Sequence, residues 1–191
     1  MGGLQLTFVT YLSLFLKEAH GYRLAVAGIS LAITMAAGTI GRLLWAVISD
    51  RFFADRRASG LRLNAVLSMF GMTGLALLPS GVLIWLCVAL VGFANIGWNG
   101  VYMTLVAETA PRGRIGRVSG SSLRTVFAGS VVMPPLFGLV ADQAGWQRAW
   151  LAACVLGAIA VVSMSVAVFA QARETGLESS DLLPRNSREA T

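Results

Sequence analysis

Residues Leu63–Ala107 form a run of 45 residues without one charged side chain. A soluble domain carries about 25% charged residues, so a polar shell cannot cover a run of this length. A single membrane span needs about 20 residues, and the run is too long for one. Pro79, Ser80 and Gly81 form a strong turn signal that divides it. The run therefore predicts two membrane helices joined by a tight turn.

The rest of the chain has the same character, with 56% hydrophobic residues, 13% charged residues and a mean hydropathy of +0.72. Cutting the sequence at its charges gives six apolar segments, which must be helical because irregular backbone in lipid would leave its amides unsatisfied. Residues 1–172 are thus predicted to be an all-α transmembrane domain, and the polar tail 173–191 to be disordered. The predicted helices cover about 4–17, 24–49, 62–79, 82–107, 118–142 and 148–171, and the first is short for a span.

The basic residues predict the orientation of these helices. If the first helix runs outward, the inner loops and tail hold ten arginines, and the outer loops hold only Lys17, Arg23 and Arg148. Cytoplasmic loops are enriched in Lys and Arg, so both termini are predicted to lie on the cytoplasmic side of the cell membrane. This placement of the +6 net charge favours a lipid bilayer, and no nucleic acid, as the partner.

Two segments of the chain resemble each other. Ala46–Asp50 and Gly138–Asp142 both read small, apolar, apolar, small, Asp at the end of an apolar helix. Their offset is 142 − 50 = 92 residues, or three predicted helices, so the two copies have opposite orientations. This pattern indicates a 3+3 inverted repeat, an architecture that transporters use. Chance similarity between strings of small apolar residues is the alternative.

The segment Gly41–Arg51, followed by Arg56 and Arg57, resembles the G-x-L-x-D-R-x-G-R-R loop that the major facilitator superfamily carries after the second helix of each half. Ala46 stands at the first glycine of that motif and Phe53 where the second is expected. These departures suit the weaker copy in the C-terminal half of the family. Val106–Pro111 looks like the end of the family's tenth helix, and the segment from Gly129 to Trp146 is similar to its eleventh helix and outer loop.

The resemblance implies that the six helices match helices seven to twelve of a twelve-helix fold, with Met1 partway into helix seven. It implies transport of a small solute by alternating access, in a partial chain that needs a second six-helix half or a homodimer. The alternative is a membrane protein that does not transport, either a packing or regulatory partner or a decayed transporter fragment. The sequence does not identify the substrate.

Two groups of charged residues are candidates for function. The resemblance implies that Arg42, Asp50, Arg51, Arg56 and Arg57 stabilise one gating state by contact with the other half. The simpler interpretation is that these arginines only fix the topology of the loop.

Glu108, at a cytoplasmic helix end, and Arg124, one or two turns inside its helix, form the second candidate, a charge pair. Alternatively, the long Arg124 side chain reaches the interface alone or contacts an anionic substrate.

The strongest polar pattern lies on the fourth predicted helix. Asn95, Trp98, Asn99 and Tyr102 stand at i, i+3, i+4 and i+7, so they share one helix face near mid-membrane. Two amides there need partners in protein or water. We expect either a wall of the substrate cavity or asparagines that bond neighbouring helices. Tyr11, on the first helix, is a weaker cavity candidate.

Catalysis has little support in this sequence. The only histidine, His20, lies in a predicted outer loop, and no P-loop or Cys/His metal spacing is present. Cys87 and Cys154 both lie inside apolar runs and are predicted to act as small packing residues. We therefore expect no enzyme activity, no metal and no cofactor.

Overall fold

The computed structural model describes residues 1–52, 57–110, 114–159 and 161–162. Its bounded helices are α1 (Gly2–His20), α2 (Leu24–Phe52), α3 (Arg57–Leu77), α4 (Val82–Thr109) and α5 (Ile115–Ala144). A further helical stretch, named α6 here, covers residues 146–159. Across these described ranges all of the regular secondary structure is helical.

Four helices in the described ranges are long and apolar enough to cross a membrane, and they coincide with α2, α3, α4 and α5. The predicted all-helical membrane class is therefore confirmed. The α1 helix, with 19 residues, is outside that set. Six membrane spans stay a prediction.

Short turns hold successive helices against each other. Gly21 has a left-handed backbone with φ 68°, and the Tyr22 N–H donates to the Leu16 carbonyl over 3.1 Å. This closure satisfies carbonyls at the end of α1, and α2 begins three residues later. At the other turn, α3 ends at Leu77 and α4 begins at Val82, so the Pro79–Gly81 segment separates two antiparallel helices.

The α2 helix extends past the predicted end at residue 49 to Phe52. No Gly or Pro interrupts the segment from Ser49 to Phe52, so nothing in the sequence forces the helix to stop there. Asp50 and Arg51 therefore lie in the last turn of α2 and not in a loop. Residues 53–56 lie outside the described residues.

The α4 helix is the centre of the bundle, because it packs extensively against both α2 and α3. Its crossing with α2 brings backbone against backbone. A Cβ atom on Gly92 would lie 2.8 Å from the Thr34 carbonyl oxygen and 2.9 Å from the Thr34 Cα, and one on Gly41 would collide with the Phe93 carbonyl. Small residues allow such close approach, which drives helix association in lipid, where apolar side chains gain nothing by leaving the solvent.

The second large contact joins α1 to α5, and α6 packs onto it through aromatic rings. Trp150 lies edge-on to Phe8, Phe15 and Phe137, with ring centroids 6.0, 5.5 and 4.8 Å away. Such arrangements add about 0.5–1.5 kcal/mol per pair beyond burial. The α6 stretch is thereby packed against both α1 and α5.

Candidate functional site

A cavity of about 280 Å³ lies where α1, α3, α4 and α5 meet on the predicted cytoplasmic side. Two aromatic side chains, Trp98 and Tyr102, form its α4 wall. Their rings stand 5.2 Å apart at an angle of 55°. The other walls are made of small and apolar side chains with one hydroxyl; the lining consists of Met1, Gly2, Gly3, Leu61, Ala65, Trp98, Tyr102, Thr125, Val126, Gly129 and Val161.

A side-chain amide of α1 fixes the α4 wall. The Trp98 indole N–H donates to Gln5 Oε1 over 3.0 Å, and Asn99 Nδ2 donates to the same oxygen over 3.2 Å. One acceptor thus holds two neighbouring α4 side chains at the edge of the cavity. Gln5 and Asn99 lie outside the cavity lining, so this amide acts on the cavity through the position of Trp98.

Asn95, one turn away on the same α4 face, has different surroundings. It is fully buried, and its Oδ1 accepts a 2.8 Å hydrogen bond from the Ser68 hydroxyl of α3. It lies outside the cavity lining. The predicted polar face is therefore divided: Trp98, Asn99 and Tyr102 lie at or beside the cavity, and Asn95 bonds two helices, as the packing interpretation expects.

Tyr11 lies away from the cavity, in the contact between α1 and α5. Its ring centroid is 5.2 Å from that of Phe137 and 6.2 Å from that of Trp146, and its hydroxyl touches the position of Gly138. It contributes to the aromatic cluster of this contact.

The residues predicted to form the gating loop are distributed over two helices. Arg42 is exposed in the middle of α2, and Asp50 and Arg51 are exposed in its last turn. Arg57 is the first residue of α3, and Arg56 lies outside the described residues.

Glu108 and Arg124 are both exposed, one near the end of α4 and the other nine residues into α5. Their charge pair stays a prediction.

Sequence reasoning missed Gln5, Leu61 and Ala65. Gln5 had a signal, because it is the only side-chain amide in the uncharged segment 1–16, and a polar group there needs a partner. Leu61 and Ala65 had none, since only the tertiary packing places these ordinary apolar residues at a cavity.

Four helices among the described residues are long and apolar enough to cross a membrane, and together they define a multi-pass membrane protein. The sequence profile of the Major Facilitator Superfamily matches residues 1–127, about two thirds of the chain, and the chain belongs to this superfamily. The predicted family is thereby confirmed.

The chain is similar to the "Uncharacterized MFS-type transporter Rv2994" of Mycobacterium tuberculosis (strain ATCC 25618 / H37Rv). The two are 26% identical over 176 residues. The alignment covers 90% of this chain and 38% of that protein, so the chain spans well under half the length of its relative.

Proposed function

We propose that this chain is one half of a secondary transporter that moves a small solute by alternating access, with the cavity as part of the solute path. The observation that carries the proposal is the α4 wall, where Gln5 orients Trp98 and Asn99 beside an apolar cavity. The aromatic faces supply shape to the solute and the amides supply hydrogen bonds. Membership of the superfamily supports the same function.

We also propose that the bundle is a 3+3 inverted repeat, with α1–α3 equivalent to α4–α6. Outside the α3–α4 hairpin, the two largest helix contacts join α2 to α4 and α1 to α5. When α1–α3 are exchanged with α4–α6, each of these two contacts is converted into the other. Asp50 and Asp142 both stand third from the end of their helices, α2 and α5. This equivalence supports six spans, with both termini at the cytoplasmic face of the cell membrane.

The partner in this proposal is a second six-helix half, either a separate chain segment or a second copy of this chain. Arg42 and Arg124 are exposed on α2 and α5. At 1.5 Å per residue, they lie about 15 Å from the end of α2 at Phe52 and about 14 Å from the start of α5 at Ile115, the helix ends predicted to be cytoplasmic. An arginine facing hydrocarbon at that depth is costly, so these faces suit protein or water better than lipid. In this proposal Asp50 and Arg51, in the last turn of α2, contact that half and stabilise one gating state.

A cysteine-accessibility scan tests the cavity. Cys87 and Cys154 are first replaced by alanine, and single cysteines are then placed at positions 95, 99 and 102. A membrane-impermeant thiol reagent should modify positions 99 and 102, and it should leave 95, the matched control in the same helix, unmodified because that side chain is buried between α3 and α4. Equal protection of all three positions would contradict a water-filled cavity.

Reconstitution tests the need for a second half. The chain in liposomes is expected to move no solute as a strict monomer and to gain transport when a second six-helix half or a second copy is supplied. Transport by the monomer would contradict the half-transporter proposal. Absence of transport with either partner would favour the alternative, a membrane protein with a packing or regulatory role.

A further inference from the structure

Helices α3 and α4 each bury a side-chain amide that hydrogen bonds within the described residues do not fully satisfy. Asn64 of α3 is 1% exposed, and within the described part of the chain neither its Nδ2 nor its Oδ1 has a hydrogen-bond partner. Asn95 of α4 is 0% exposed, and its Nδ2 is likewise unpaired there. Two asparagines thus leave three amide atoms without a protein partner.

Unpaired amides are costly in any protein interior, and most buried polar groups have a partner in protein or ordered water. The cost is higher in a bilayer, because hydrocarbon offers no hydrogen bonds. Asparagine supplies two donors and two acceptor lone pairs at each amide. A buried water needs two to four polar partners, and three unpaired amide atoms are enough in number to supply them.

Ser68 relates the positions of the two residues to each other. Asn64 and Ser68 are one turn apart on the same face of α3, and the Ser68 hydroxyl donates to Asn95 Oδ1 over 2.8 Å. Each asparagine therefore lies within about one helical turn of the same hydroxyl. Leu61 and Ala65, three residues before and one residue after Asn64 on α3, line the cavity, so this part of α3 adjoins a space that water can enter.

We propose that Asn64, Ser68 and Asn95 form a binding site for ordered water in the membrane interior, next to the cavity and distinct from its Trp98–Tyr102 wall. Asn64 and the Asn95 Nδ2 are the groups that hold the water, and Ser68 fixes the Asn95 amide so that its donors face the site. The site does not depend on transport by this chain.

Water-edited solid-state NMR of the protein in lipid bilayers detects such water directly. Magnetisation from water should reach the side-chain Nδ2 of Asn64 and Asn95. The internal control is the Trp150 indole N–H, which is also buried and unpaired within the described residues but lies among aromatic rings. It should receive none, because a water there would lack polar partners. Absence of transfer to both asparagines would refute the proposal.

The Asn64→Leu variant gives a second, independent measurement. With bound water, leucine displaces it, removes the water signal at Asn95 and lowers the midpoint of thermal unfolding by about 2–4 °C. Without bound water, leucine only removes an unpaired amide and should raise the midpoint, which would overturn the proposal. Val66→Leu, on the exposed side of α3, is the matched control and should leave both readouts unchanged.

A cation bound by the same oxygens is the competing explanation. Replacing Na⁺ and K⁺ with choline should leave the unfolding midpoint of the wild-type protein unchanged, since water is present in both buffers. If alkali ions raise the midpoint of the wild type and not that of Asn64→Leu, the ligand is a cation, and the proposal is wrong.

Discussion

The crossing of α2 and α4 gives the sharpest quantitative prediction. Gly92 of α4 faces the backbone of Thr34, and a Cβ there would lie 2.8 Å from the Thr34 carbonyl oxygen, where ordinary contact begins at 3.4 Å. Gly92→Ala must therefore move the two helices apart by about 0.6 Å, since backbone atoms cannot rotate away. A gap of about 0.5–1 Å forfeits a quarter to a half of the attraction at the neighbouring contacts.

Overpacking of this kind costs about 1–3 kcal/mol. Alanine also gains about 1 kcal/mol over glycine in helix propensity, and a control must remove that gain from the comparison. Gly100 serves, because it lies in the same helix and a Cβ there would meet no described atom within 4 Å. Gly92→Ala should therefore unfold about 5 °C below Gly100→Ala, at about 2–4 °C per kcal/mol for a chain of this size.

Thermal unfolding in detergent, followed by intrinsic tryptophan fluorescence, measures this difference. Gly41→Ala should behave like Gly92→Ala, because its Cβ would collide with the Phe93 carbonyl, and Gly28→Ala is its control in α2. If the substitutions at Gly41 and Gly92 unfold at the same temperatures as their controls, α2 and α4 do not meet backbone to backbone.

Three further substitutions test other contacts. Gln5→Leu removes the acceptor of the Trp98 and Asn99 N–H groups; at about 0.6 kcal/mol per bond in membranes, it should lower the free energy of unfolding by about 1 kcal/mol and shift Trp98 fluorescence emission. Gln5→Glu keeps an accepting oxygen and should retain the wild-type emission. Ser68→Ala removes the bond to Asn95 and should cost about 0.6 kcal/mol in an SDS unfolding titration; a stabilised variant would contradict that bond. Partial burial lowers the pKa of His20, at the end of α1, below its ordinary 6.5. The unfolded chain therefore binds the proton more readily, and the free energy of unfolding falls as the pH drops through about 6.5. His20→Gln should flatten this pH dependence. Equal slopes of stability against pH for the wild type and the variant would argue against a partly buried imidazole.

The helical class and the turn at Pro79–Gly81 could be predicted because lipid leaves the backbone few choices and because charges and turn residues mark the segment ends. The predicted end of the second helix at residue 49 is three residues early, because the charges of Asp50 and Arg51 interrupt the apolar run although no helix-breaking residue precedes Phe52. A charged residue ends an apolar run, but it does not end a helix.

The candidate site could be predicted only in part, for a geometric reason. Periodicity places Asn95 and Asn99 on one face, but they stand one turn apart along α4, and the neighbouring helix changes over that distance. Asn95 meets Ser68 of α3, while Asn99 meets Gln5 of α1. Helix periodicity contains no information on which helix covers a face at a given depth, so neither Gln5 nor the separation of the two asparagines could be derived from it.

The close contact at Gly41 and Gly92 has a mechanical consequence. Because the backbones of α2 and α4 approach each other this closely, neither helix can slide along the other without a steric clash at the Thr34 or Phe93 carbonyl. The α1–α5 contact also joins the two proposed triplets, α1–α3 and α4–α6. Each triplet therefore packs against helices of the other. We therefore expect such a bundle to resist internal shear, so that large movements occur along the exposed faces of α2 and α5.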